Sequence, residues 1–106
     1  MSSIFDIDIV RRKDALVLVV SGEIDLATAP ELELALTRAE ASDAPQLWID
    51  IERVMFMDAT GLGVLVRHAT LDENVERLRI TPGPPQVQRL FELSGLRSYL
   101  PLHTLS

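Results

Sequence analysis

An acid, a hydroxyl and two glycines fall together in Met55-Phe56-Met57-Asp58-Ala59-Thr60-Gly61-Leu62-Gly63-Val64-Leu65-Val66. The chemistry open to such a group is that of a helix N-terminus. Unpaired N–H groups and a partial positive charge there stabilise a carboxylate or phosphate. A hydroxyl at that place suits the addition and reading of a negative charge. Asp58 or Thr60 also suits a helix cap, worth about 1 kcal/mol. The two roles are compatible, since a cap can also be a modification site. Gly61-Leu62-Gly63 lacks the third glycine of a dinucleotide fingerprint, and no Gly-Lys-Ser/Thr phosphate loop occurs in the chain.

Other candidate groups are weaker. Glu23, Asp25, Asp50 and Asp58 are expected near strand ends and could cluster, as in a receiver-type phospho-aspartate site. That chemistry needs a suitably placed lysine, and the only lysine is Lys13. His68 and His103 stand without an assignable nucleophile and acid, so no catalytic residue is named. Trp48 and Phe91 read as core. Met55, Phe56 and Met57 cannot all face one core in a strand. Part of that group is expected at the surface beside Thr60, where it would suit protein binding.

The elements that must position these residues follow from periodicity. Phe5, Ile7 and Ile9 alternate with Asp6 and Asp8, a half-exposed strand over 4–10 that ends in a turn at Arg11-Arg12-Lys13-Asp14. Ala15–Val20 is a continuous apolar strand, closing a hairpin. Pro30, Glu31 and Glu33 open a helix whose core stripe is Leu32, Ala35, Leu36 and Ala39. A strand over Leu47–Ile51 leads into the central stretch. Leu62, Leu65, Val66 and Ala69 then predict a helix from about Thr60 to Leu71. Arg77–Thr81 reads as a short strand. The turn Pro82-Gly83-Pro84-Pro85 has a proline placed to open a third helix, with Val87, Leu90, Phe91 and Ser94 on one face and Gly95 at its end. A last short element is expected over 96–102. The order β-β-α-β-α-β-α implies an α/β fold: a mixed, mostly parallel sheet that opens with a hairpin, with helices packed against it.

Composition bounds the function. The 106 residues suit one domain, 1–106, able to bury a core without metals or disulfides. A net charge of −6 argues against direct nucleic-acid binding or an anionic membrane surface. The absence of cysteine removes thiolate chemistry and fits a cytoplasmic protein. Met1–Asp6 has neither the basic region nor the apolar core of a signal peptide, and the longest apolar run, 15–20, is too short to span a bilayer. No cofactor or metal site is expected.

Three motifs, read together, resemble the STAS domain family, specifically the bacterial anti-sigma-factor antagonists. They are Gly22-Glu23-Ile24-Asp25 with Thr28, Met57-Asp58-Ala59-Thr60-Gly61-Leu62-Gly63, and Leu90-Phe91-Glu92-Leu93-Ser94-Gly95-Leu96. The resemblance covers nearly the whole chain. It implies a STAS-type sandwich and a regulatory binding module rather than an enzyme. Such antagonists bind an anti-sigma factor, usually an ATP-dependent serine kinase of the histidine-kinase-like ATPase fold, and so free a sigma factor. The kinase phosphorylates the antagonist at the second helix, and a phosphatase resets the cycle. By this resemblance Asp25, Thr28, Asp58, Ala59, Thr60 and Gly61 lie on the partner-binding face. In the family the phosphoacceptor usually follows the aspartate directly; Ala59 occupies that place here, so either Thr60 is the phosphoacceptor candidate, or the switch is absent and the protein binds constitutively or answers to another signal. A STAS scaffold or ligand-sensing module without phosphorylation is the alternative, and a weak homo-oligomer is compatible with either reading.

Overall fold

The computed structural model describes residues 4–105, so Met1–Ser3, which carry half of the signal-peptide argument, and Ser106 lie outside the described residues. The chain runs β1 (Asp6–Arg12), β2 (Ala15–Ile24), α1 (Ala29–Glu40), β3 (Gln46–Met57), α2 (Ala59–Ala69), β4 (Leu78–Ile80) and α3 (Pro85–Ser94). Short 3₁₀ turns lie at Asp72–Asn74 and Arg97–Tyr99. This is the expected order of strands and helices. One sheet holds the strands in the order β1-β2-β3-β4. β1 and β2 pair antiparallel as a hairpin, whereas β2–β3 and β3–β4 are parallel. The last element is a 3₁₀ turn followed by a single parallel bridge from Leu102 to Ile80.

The period-2 pattern places Leu16, Leu18 and Val20 of β2 and Leu47, Ile49 and Ile51 of β3 on one face, all buried. In register, Leu16 stands beside Leu47 and Leu18 beside Ile49. Leu32, Leu36 and Ala39 of α1, Leu62, Leu65 and Ala69 of α2, and Val87 and Phe91 of α3 close the same core cluster. The opposite face carries half-buried Trp48, whose ring meets His103 edge-on at 6.5 Å. Among the described residues no helix is long and apolar enough to cross a membrane.

The largest departure from the sequence reading is β3. It does not stop at Ile51 but continues to Met57. Two register shifts against β2 allow this. Val19 pairs with Asp50 and Ser21 with Arg53; Gly22 pairs with Val54 and Glu23 with Phe56. Each shift inserts one extra residue into β3, a β-bulge that resets which side chains point inward. Ile51, Val54 and Met57 are therefore buried at every third position. That spacing fits neither a plain strand nor a helix. Gly22 sits opposite the second shift with φ 88°, and a Cβ there would lie 2.5 Å from the Ile4 carbonyl oxygen. Only glycine admits that approach. At the other end of the fold Gly95 closes α3 with φ 76°, as its place in the sequence predicts.

Candidate functional site

The parallel strands β2 and β3 end side by side, Ile24 beside Met57. Their following helices therefore start at the same edge of the sheet. This is the end at which ligands and partners of parallel sheets gather. The Asp58 N–H donates to the Ile24 carbonyl at 3.1 Å and ties the two strand ends together.

Each turn is held by its own aspartate. Asp25 Oδ1 accepts from the Ala27 N–H at 2.9 Å and the Thr28 N–H at 3.1 Å. Thr28 Oγ1 donates to the Glu23 carbonyl at 2.8 Å and accepts from the Asp25 N–H at 3.0 Å. Thr28 is thus the N-cap residue of α1 by backbone position, but its hydroxyl is engaged inside the turn. At the second turn Asp58 is the N-cap of α2, with extended backbone. Its Oδ1 accepts from the Thr60 N–H at 2.9 Å and the Gly61 N–H at 3.1 Å. This decides the question of which residue caps: Asp58 does, and α2 starts one residue earlier than expected, at Ala59.

With Asp58 on the first-turn N–H groups, Ala59 and Thr60 are left exposed on the outer side of α2. The Thr60 hydroxyl makes no hydrogen bond among the described residues. Gly61 is buried against Ile24 and Met57. Of the six residues assigned to the binding face, Asp25, Thr28 and Asp58 are half-buried scaffolding of the two turns, Gly61 is a packing position, and Ala59 and Thr60 present the open surface.

Around them lies apolar surface that the sequence pattern foreshadowed only in part. Leu26 is 75% exposed, Met55 63% and Phe56 48%, whereas Met57 is buried. The two bulges of β3 put both Met55 and Phe56 outside; the expectation that part of this group reaches the surface is met. Leu26, Pro30, Thr60 and Val64 line a shallow depression of about 310 Å³ between the starts of α1 and α2, with Glu33 and Arg67 at its far rim. Leu26 had no periodic signal, being a single apolar residue in a turn.

The other acids do not join this site. Asp50 lies in mid-strand, where its Oδ1 accepts from the Glu52 N–H at 3.0 Å and sits 3.4 Å from Thr81 Oγ1. It lines a separate depression with Arg12 and Thr81. The expected cluster of Glu23, Asp25, Asp50 and Asp58 is therefore not assembled, because Asp50 sits well before the strand end. Among the described residues no group of three or more His, Cys, Asp or Glu is placed to hold a metal.

His68 is a residue whose setting the sequence did not reveal. It is 5% exposed on the inner side of α2. Its Nδ1 lies 2.5 Å from Glu40 Oε2, and its Nε2 is paired with Glu33. Glu33 also pairs with Arg67, and Asn74 Nδ2 donates to Glu40 at 2.7 Å and to the His68 carbonyl at 2.9 Å. These contacts clamp α1 to α2 behind the depression.

The model of the STAS domain matches residues 6–105. The chain belongs to the STAS domain family. An anti-sigma-B factor antagonist of Staphylococcus aureus (strain NCTC 8325 / PS 47) is 37% identical over 82 residues, 76% of each chain. Among solved structures, an anti-sigma factor antagonist from Mycobacterium paratuberculosis superposes with a TM-score of 0.84 at 29% identity, covering 99% of this chain and 92% of that one. The antagonist SpoIIAA in its unphosphorylated form superposes with a TM-score of 0.69, covering 95% and 89%; at 24% identity that likeness speaks for the fold. The STAS architecture expected from the three motifs is the one observed.

Proposed function

We propose that this STAS chain, working as a single domain, is an anti-sigma factor antagonist. It binds an anti-sigma factor of the ATPase and serine-kinase fold and so frees a sigma factor. The observation that carries this reading is the apolar depression between the starts of α1 and α2, lined by Leu26, Pro30, Thr60 and Val64, with Leu26 75% exposed at its edge. An apolar depression rimmed by charged side chains such as Glu33 and Arg67 suits a protein partner. The curated relatives named anti-sigma-B factor antagonist support the identity of that partner. A binding module of this kind works in the cytoplasm and needs no catalytic group of its own.

Thr60 is the proposed phosphoacceptor. Its hydroxyl is exposed, while those of Thr28, Ser42 and Thr70 are held by backbone carbonyls. A phosphate adds about −1.5 to −2 charges. The first-turn N–H groups of α2 already face Asp58. The new charge would therefore stand beside a carboxylate and inside an apolar contact face. The effect falls on the interface and not on the fold. A penalty of about 2 kcal/mol weakens a complex roughly thirtyfold. Ala59, exposed on the first turn, favours a second reading: a constitutive antagonist that the usual kinase does not modify.

The test is a pull-down from native lysate with ATP or ADP, comparing wild type with Thr60→Glu and identifying bound proteins by mass spectrometry. Recovery of an ATPase-fold anti-sigma factor by wild type and its loss with Thr60→Glu is the expected result. Recovery by both forms removes Thr60 as a switch but keeps the antagonist. Recovery of other STAS proteins alone overturns the antagonist reading in favour of a scaffold.

A further inference from the structure

β1 is an edge strand of the sheet, paired on one side with β2. An edge strand is a template for further pairing unless it is shielded. Beside it, between β1 and α1, runs an apolar groove of about 340 Å³ lined by Ile7, Ile9, Leu16, Ala35, Arg38 and Ala39. Ile9, on the strand face it shares with Ile7, is 54% exposed over this groove.

The strand itself indicates what fits there. Asp6-Ile7-Asp8-Ile9-Val10-Arg11-Arg12 is acidic in its first half and basic in its second. A parallel copy would set Asp6 against Asp6 and Arg12 against Arg12. An antiparallel copy centred on Ile9 instead sets Asp6 opposite Arg12, twice by symmetry, with Asp8 opposite Val10. Ile9 then meets its own counterpart. Centring on Asp8 would oppose two aspartates, and centring on Val10 would set Ile9 opposite Arg11 and leave Asp6 and Ile7 beyond the end of the partner strand. Every antiparallel edge-to-edge register keeps both helical layers, and so both grooves, on one face; centring on Ile9 alone pairs all seven residues of β1 with no like charges opposed, Ile7 meeting Arg11 and Asp6 meeting Arg12. Cross-strand pairs of these kinds are the ones that stabilise a sheet.

We propose that β1 is a self-association surface: two copies of this chain join edge to edge, β1 antiparallel to β1 and centred on Ile9, into a continuous eight-stranded sheet. A contact limited to one strand and one groove is small, so the dimer is weak and forms with rising concentration. It lies on the strand at the opposite side of β2 from β3, whose end carries Met55 and Phe56. The proposal stands whether or not the partner at Thr60 is an anti-sigma factor.

Sedimentation equilibrium of the purified chain through the micromolar to millimolar range tests it, with circular dichroism to verify that each variant is folded. Wild type is expected to move from the monomer mass towards twice that mass. Asp6→Arg and Arg12→Asp alone should each weaken association by about tenfold or more, because each puts two like-charge pairs opposite one another. The double variant Asp6→Arg/Arg12→Asp should restore it. Arg12→Asp also places a carboxylate near Asp50 and Glu52. Ile9→Lys therefore serves as an independent variant, and it should abolish the dimer by opposing two ammonium groups at the centre. A wild type that stays monomeric throughout overturns the proposal, the edge then being free for a strand of another protein. So does a dimer insensitive to these changes, or a double variant that fails to restore it.

Discussion

Gly61 and Gly63 stand two residues apart in α2, and replacing each by alanine should move stability in opposite directions. Both have ordinary helical backbone; neither is among the glycines with positive φ. Alanine is favoured over glycine inside a helix by about 0.8–1.0 kcal/mol. At Gly63 little opposes that gain. The nearest atom to an added Cβ is the Arg67 guanidinium at 3.6 Å, an ordinary contact with a flexible side chain. At Gly61 the added Cβ would lie 2.6 Å from Ile24 Cγ2 and 2.9 Å from Met57 Cγ. Ile24 is fully buried and Met57 nearly so, so neither can withdraw without disturbing the core. Overpacking of that kind costs about 1–3 kcal/mol. Set against a propensity gain that is reduced in the first turn, Gly61→Ala should lose about 1–2 kcal/mol. Gly63→Ala should gain about 0.5–1 kcal/mol. In thermal unfolding the first should fall by about 4–8 °C and the second rise by about 2–4 °C. Urea unfolding with unchanged m-values would assign both effects to stability. A Gly61→Ala protein as stable as wild type would refute the packing argument, since it would mean that α2 does not press its first turn against the ends of β2 and β3.

Two further perturbations probe the same end of the fold and the clamp behind it. Asp58→Ala removes the acceptor of the Thr60 and Gly61 N–H groups and should lose about 1 kcal/mol in urea unfolding, with Asp58→Asn retaining most of it. Equal loss in both variants would show that the carboxylate charge, and not the cap hydrogen bonds, matters. His68→Leu leaves the largely buried Glu40 with only Asn74 among these side chains and should lose about 2–3 kcal/mol. The double variant His68→Leu/Glu40→Leu should recover part of that loss, because an apolar pair of suitable shape replaces a buried charged one at little cost. Strict additivity of the losses from His68→Leu and Glu40→Leu would sink the idea that the His68–Glu40 contact joins α1 to α2.

Much of the fold was legible in the residues because the relevant interactions are local. Asp58 and Gly95 act within a turn of their own positions, so their types announce a cap and a stop. The apolar stripes of α1 and α2 lie at helical spacing, and the hairpin and parallel crossovers follow from the order of elements. Ser94, counted on the apolar face of α3, is exposed, because that helix buries chiefly Val87 and Phe91. The extension of β3 was hidden for a physical reason. Its two bulges break the period of two that identifies a strand, and the cause lies partly in Gly22 on the neighbouring strand.

The sequence by itself determined the order of elements, a cap at the start of α2 from either Asp58 or Thr60, and membership in the STAS family through its three motifs. The tertiary structure decided which of those motif residues face outward. Thr28 and Asp25 satisfy each other's turn, whereas Leu26, Pro30 and Thr60, from the starts of two different helices, line the open depression. It also decided the fate of His68, whose partners Glu40 and Glu33 are 28 and 35 positions away in the chain. Local signals fix local geometry because backbone donors and periodic apolar faces act over a few residues. Exposure, ion pairing and a free sheet edge depend on which distant segments arrive beside a residue, and that is settled only when the sheet and its helices pack.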